Sequence, residues 1–289
     1  MSLLRLSRPF HLLLAALTYL LGAGMARYLG NPFNAAAFWL GAFWGLSLHV
    51  AATLLTEYFR NPVEPLADAA TPRQRERLRI RLLQVAAAFL VLSAAFTITL
   101  LYAQVLTLSA ILLMGLIFAL LMAYAIPPVR LVNTGFGEIA LAVLLAGFLP
   151  ALAFLLQSDE FHRLLPLVTF PLTFLALAYL LVCAFPSFAA DQKYARRTLL
   201  IRLTWQRAVL LHHLFVLAAY LLFAAALFFG LPFQLIWPVF LTLPFAVLQI
   251  FWLNRIASGG KPLWTLLTAN AAAVFSLTAY VLALTFWIR

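Results

Sequence analysis

The sequence predicts an all-α, polytopic membrane protein, with nine transmembrane helices in one bundle and residues 1–289 forming a single integral membrane domain. Three observations carry that expectation. Hydrophobic residues make up 66% of the chain and charged residues only 9%, whereas a soluble domain is about half apolar and a quarter charged. Mean hydropathy is +1.04. Apolar runs of roughly 20 residues recur along the chain, and lipid offers exposed backbone no hydrogen-bond partner, so such runs cross a bilayer as helices.

Taken in order, the predicted spans are about 10–28, 33–56, 82–103, 105–126, 138–157, 164–186, 208–230, 232–253 and 264–287. The first follows Arg5 and Arg8 and runs to "GAGMA", which imitates a secretory signal. It is long enough to span and more spans follow at once, so it reads as the first helix. The third is preceded by "TPRQRERLRIRLL", a helical basic segment opening at Thr71 with Pro72 in an N1-like place. The double proline of "YAIPPVRLVNTGFGE" ends the fourth, and its glycines give a tight turn. "FPSFAADQKYARRTLLIRLTWQR", residues 185–207, joins the sixth to the seventh, while outer connections such as "YAQ" and "FGLPFQ" are short and uncharged. The single cysteine, Cys183, excludes an intrachain disulfide, a CxxC pair and a zinc spacing.

The formal net charge of +11 would suggest nucleic acid in a soluble protein. Here its distribution excludes that partner. With nine spans and an inner N-terminus, all Lys and Arg residues except Arg27, Arg163 and Arg289 fall on one side, which makes sixteen of nineteen. The positive-inside rule accounts for this and predicts a cytoplasmic N-terminus, with loops 57–81, 127–137, 187–207 and 254–263 on the same side, in a prokaryotic cytoplasmic membrane. The protein's surroundings are then the lipid bilayer.

Ionisable residues cluster at inner helix ends, not in mid-span, which disfavours an ion-coupled transporter. A charged mouth above an apolar interior suits an amphiphile with a polar head and a lipid tail. Of the eight acidic residues, Glu57, Glu64 and Asp68 fall in "LLTEYFRNPVEPLAD", residues 54–68, and Asp191 follows the sixth span. Such oxygen donors suit Mg²⁺, which typically bridges a few carboxylates to substrate phosphates. Arg60, Lys193, Arg196 and Arg197 stand beside them to hold phosphate oxygens. Charged residues at an inner helix end are, taken singly, more often solvated anchors. His49 lies on the helical face of Thr56 and reads first as a packed bundle histidine; adjacent His212 and His213 point about 100° apart, against joint metal ligation.

"YAIPPVRLVNTGFGEIALAVLLAG", Tyr124 to Gly147, resembles the Y-S-x-P-P-x-R-L…G-x-G-E segment of the UbiA-type membrane prenyltransferases, and within them the dihydroxynaphthoate (menaquinone) branch. "RPF" at Arg8–Phe10 is similar to that family's Arg-Pro opening, so the likeness covers essentially the whole chain. In the first aspartate motif, similar to N-D-Y-x-D, this chain reads "TEYFR": Glu57 stands for the first Asp and Arg60 for the next. In the second it reads "CAFPSFAADQKYARRT", keeping Asp191 and the basic tail.

The resemblance implies a prenyltransferase that moves a polyprenyl group from its diphosphate to an aromatic acceptor with Mg²⁺ as cofactor. Glu57 and Asp191 are then the catalytic candidates, and Glu57, Glu64, Asp68 and Asp191 the metal ligands. Arg60, Lys193, Arg196 and Arg197 bind diphosphate, and Tyr124 and Arg130 lie near diphosphate or acceptor. The degenerate motifs keep a catalytically silent homologue binding lipid or quinone as the alternative, with a transporter third. Glu57 and Asp191 are expected to face one cavity.

Overall fold

The computed structural model describes residues 6–64, 66 and 71–289. Arg5 and Asp68 lie outside the described residues. Among those described, nine helices are long and apolar enough to cross a membrane: α1 (Pro9–Tyr28), α2 (Ala35–Tyr58), α3 (Pro72–Tyr102), α4 (Leu108–Ala125), α5 (Gly137–Leu155), α6 (Leu164–Lys193), α7 (Trp205–Ala226), α8 (Phe233–Ala257) and α9 (Trp264–Ile288). They match the nine expected spans one for one.

The largest departure is α3, which starts at Pro72 and not near 82. Thr71 accepts from Gln74 N, and the Gln74 side chain reaches back to Thr71 N, so a capping box starts the helix in its basic segment. At 31 residues α3 is about 46 Å long, well beyond an apolar core of roughly 30 Å, and its arginine-rich start extends past it. Hydropathy marks only the apolar part of such a helix.

Interior helix pairs fix the bundle: α1 packs on α5 and α9, α2 on α3, and α6 on α7 and α9. Gly22 sits where α1 meets α5, and a Cβ there would lie 2.0 Å from the Pro150 carbonyl oxygen. Pro150 has no N–H to return to α5, and the helix widens to a π-turn over Leu144–Phe148 just before it. At its N-terminal end Asn34 caps α2 through Ala37 N at 3.0 Å, and Gln157 holds the Asn34 backbone by two hydrogen bonds of 2.7 and 3.1 Å. Exposed Leu13, Trp39, Phe43, Val91, Leu112 and Phe251 leave an apolar outer face suited to lipid.

Several buried polar side chains between helices are paired. Tyr220, Thr242 and Thr278 form one cluster at 2.7 and 2.9 Å. Gln249 bonds His212 at 2.7 Å, and His212 and His213 meet through their Nδ1 atoms at 3.1 Å despite their angular separation on α7. His213 then reaches Asn254 at 2.8 Å, so both rings serve helix packing.

Candidate functional site

One end of the bundle collects the charged loops. Glu57 occupies the last turn of α2 and is 4% exposed; Glu64, in the following loop, is 3% exposed. Two α3 arginines hold that loop: Arg79 donates to the Arg60 carbonyl at 2.7 Å, and Arg75 donates to the Pro62 carbonyl. The basic start of α3 therefore positions the acidic stretch.

The second acid arrives by a break in α6. The helix passes into a 3-10 turn over Phe185–Ser187, where Pro186 supplies no N–H, and resumes as Phe188–Lys193. This turns Asp191 inward to 2% exposure, with Ser187 Oγ donating to its Oδ2 at 2.8 Å. Ala195 then adopts φ 54°, and Arg196 N donates to the Asp191 carbonyl at 2.8 Å. The chain folds back so that Arg196 lies over Asp191.

Between α4 and α5 the Pro127–Pro128 peptide is cis, Arg130 has φ 40°, and Gly135 has φ 81°. A Cβ on Gly135 would sit 2.2 Å from Arg202 Cδ, so the turn needs glycine for both conformation and space. Arg202 lies over the Phe136 ring at 4.8 Å. Arg130 reaches back to the Thr56 carbonyl at 3.4 Å, while its Nε is buried with no partner among the described residues. Burial draws its guanidinium below the ordinary arginine value.

These elements enclose a cavity of about 380 Å³ lined by Arg8, Arg60, Arg130 and Arg196 together with Glu57, Glu64, Glu138 and Asp191. Glu57 and Asp191 share it, as the sequence led us to expect. Tyr124 also lines it, buried at the end of α4 and interacting with Arg8. Lys193 and Arg197 are not among its lining residues. Both are exposed, and Lys193 places its ammonium 5.4 Å from the Tyr194 ring centroid. The break at Pro186 that turns Asp191 inward leaves these two basic neighbours outside the lining. Asp68, the fourth expected metal ligand, lies outside the described residues.

Sequence reasoning missed Glu138 and His11 as lining residues. Glu138 stood in the quoted glycine-rich segment; its Oε1 accepts from Leu199 N at 3.2 Å and caps a short helix, Leu199–Leu203. His11 lies one turn beyond Arg8 on α1, and nothing in the local sequence marks it.

The acids and bases are already engaged with one another. Arg60 contacts Glu57 at 2.7 Å and Glu64 at 3.6 Å. Arg196 donates Nε to Glu64 Oε1 at 2.8 Å and contacts Asp191 at 3.4 Å. The hydrogen bond to Glu64 raises Arg196 above the ordinary arginine value. Arg8 approaches Glu57 at 3.9 Å. Among the described residues no group of three His, Cys, Asp or Glu side chains is disposed to hold a metal ion by itself. The donors are nonetheless hard oxygens in one chamber, the set Mg²⁺ uses when substrate phosphates complete its shell. A Mg²⁺–diphosphate fits if arginine–carboxylate contacts exchange for arginine–phosphate and carboxylate–metal ones.

No protein-family model and no curated protein matches the sequence. Solved structures do. A UbiA homologue from Archaeoglobus fulgidus bound to GPP and Mg²⁺ is 18% identical, with a TM-score of 0.71 over 98% of this chain and 99% of that one. The same homologue bound to DMAPP and Mg²⁺ gives 0.69 over the same shares at 18% identity. A UbiA homologue from Aeropyrum pernix K1, 17% identical, gives 0.60 over 95% of this chain and 97% of that one. At such identities the likeness is one of architecture, and it extends from end to end: this chain has the nine-helix fold of the UbiA homologues.

Proposed function

We propose that the protein is a membrane prenyltransferase that moves a polyprenyl group from its diphosphate to an aromatic, naphthoate-like acceptor. The observation that carries this reading is the convergence of Glu57, Glu64 and Asp191 with Arg8, Arg60, Arg130 and Arg196 in one chamber at the end of an apolar bundle. The diphosphate occupies this chamber, with Arg60, Arg130 and Arg196 on its oxygens. Arginine matches phosphate through a planar fork of donors, and charge-assisted bonds of this kind are roughly twice as strong as neutral ones.

Glu57, Glu64 and Asp191 would hold Mg²⁺. When bound, the metal neutralises charge that develops on the leaving diphosphate. The chain's own residues set the geometry: Ser187 orients Asp191, and the Arg75 and Arg79 anchors fix the Glu57–Glu64 loop. Tyr124 and Arg8 line the same chamber, and we assign them to the meeting of acceptor and diphosphate. A second, almost wholly apolar cavity of about 420 Å³, lined by residues such as Tyr19, Phe38, Phe43 and Trp287, supports a lipid-tailed substrate.

The pairing of acids with arginines favours a second reading, a silent homologue that binds the prenyl diphosphate without turnover. One assay separates them. Purified protein in lipid nanodiscs is given Mg²⁺, labelled prenyl diphosphates of several lengths and hydroxylated naphthoates, and products are followed by chromatography. A prenylated ring product supports transfer. Saturable diphosphate binding without product supports the silent form, and the lack of both refutes the site.

A further inference from the structure

The apolar cavity of about 420 Å³ lies in the half of the bundle away from the charged chamber. Arg8 lines the chamber and Arg27 stands near the far end of α1. Nineteen positions (27 − 8) separate them, about 28 Å along a helix and close to the full apolar core of a bilayer. Ala15, Ala16, Tyr19 and Leu20 line the cavity from α1, at about 10 to 18 Å from the level of Arg27. On α2 the lining runs from Phe38 to Leu46, about 12 Å. The cavity is therefore comparable in depth to the hydrocarbon of one leaflet, about half of the roughly 30 Å core.

Its walls narrow the chemistry of what fits. No lining residue is charged. Tyr19 donates its hydroxyl to the Phe38 carbonyl at 3.1 Å, and Trp287 donates its indole N–H to the Leu20 carbonyl at 3.0 Å, so both polar groups are engaged within the protein. Gly45 adds no side chain to the wall, where a Cβ would meet Leu149 Cδ2 at 3.2 Å. Phe33, Trp39 and Phe43 are exposed, so the cavity opens sideways onto the face that suits lipid. A space walled in this way forfeits dispersion contacts unless atoms fill it, and in a bilayer the atoms at hand are hydrocarbon chains. Lipid tails are as apolar as the walls, so apolarity alone selects no particular lipid, a prenyl tail included. Selection falls to the headgroup.

Arg27 supplies it. Its guanidinium carbon lies 5.3 Å from the centroid of Trp287, whose ring walls the cavity. Arg27 is exposed, and among the described residues no carboxylate pairs with it. We propose that this cavity binds an anionic phospholipid of the leaflet opposite the chamber, with one acyl chain against Gly45 and Phe38 and the phosphate on Arg27. The proposal stands apart from prenyl transfer. A prenyl diphosphate seated on Arg60 and Arg196 has its phosphates at the other end of α1 and brings none to Arg27. A zwitterionic headgroup carries its own cation, which offsets the attraction of Arg27 for the phosphate; an anionic headgroup has no such cation.

Native mass spectrometry tests this on the full-length protein in nonionic micelles, titrated with phosphatidylglycerol or phosphatidylcholine of identical chains. The native protein should retain one phosphatidylglycerol roughly fivefold more tightly than phosphatidylcholine, the effect of about 1 kcal/mol from one basic residue at an anionic lipid surface. Arg27→Gln should remove that difference. Ala16→Phe and Ala42→Phe, which each set a ring into the cavity, should displace the lipid whatever its headgroup. Two separate ring variants keep the test open if one of them fails to fold. Equal retention of the two lipids by the native protein, a preference that persists in Arg27→Gln, or undiminished lipid in the folded ring variants overturns the proposal. A second copy of the chain on this face, seen as a lipid-free dimer that the ring variants break, overturns it as well.

Discussion

The Glu64–Arg196 pair gives a quantitative test of the chamber. Arg196 donates Nε to Glu64 Oε1 at 2.8 Å and also contacts Oε2, so the guanidinium forks onto the carboxylate. Their side chains are 3% and 28% exposed, respectively. Breaking a fully buried pair costs about 3–5 kcal/mol, whereas an exposed pair contributes about 0.2–1. Partial exposure of the arginine places this pair between those limits. We expect Arg196→Met to cost roughly 2–3 kcal/mol, because among the described residues it leaves Glu64 with Arg60 at 3.6 Å and Asp191 with Ser187. Glu64→Gln should cost less, about 1–2 kcal/mol, since an amide oxygen still accepts one bond. The double variant should fall short of the sum by about 2 kcal/mol. Reversible unfolding in mixed detergent micelles, read by tryptophan fluorescence, supplies the cycle. Single effects that add to within about 0.5 kcal/mol would show that the two side chains do not act as a pair.

Arg60→Ala should weaken prenyl diphosphate binding roughly tenfold to a hundredfold, from the loss of a charge-assisted contact of about 1.5–3 kcal/mol, measured by competition with labelled geranyl diphosphate. Arg60→Asp should weaken it further without Mg²⁺ and recover part of the loss with Mg²⁺; unchanged binding in both would reduce Arg60 to an anchor. Gly22→Leu should prevent α1 from seating on α5, since even a Cβ would lie 2.0 Å from the Pro150 carbonyl oxygen, and the purified yield of folded protein should collapse. In a Cys183→Ser background, Arg75→Cys should react with a membrane-impermeant thiol reagent from the cytoplasmic side and Asp159→Cys from the opposite side. Equal labelling from one side would refute the proposed orientation.

The nine spans were legible because a bilayer demands long apolar helices, and composition alone reveals those. The start of α3 was legible too, from Thr71 and Pro72, although hydropathy placed the span ten residues later. The site was legible only where type and position coincided. Glu57, Glu64 and Asp191 are scarce acids at or just beyond helix ends, and the bundle brings them together. Direction was not legible. Lys193 and Arg197 flank Asp191 in sequence, but the Pro186 break and the left-handed Ala195 send them outward. His11 and Glu138 reach the chamber from α1 and α5, at separations that no local pattern encodes.

The balance of charge in the chamber has a consequence for how such a site changes over generations. Four arginines face four carboxylates, so their formal charges cancel. Exchanging any one partner for its opposite shifts that sum by two, in a space where neighbours stand 2.7 to 3.9 Å apart. Arg60→Asp alone would set a new acid between Glu57 and Glu64. The same change becomes tolerable only if a cation is present to receive it or if one neighbouring acid has already been lost. Substitutions here are therefore accessible in some orders and closed in others. A chain with arginine at position 60 can take an acid there only where a cation or the earlier loss of a neighbouring acid accommodates it.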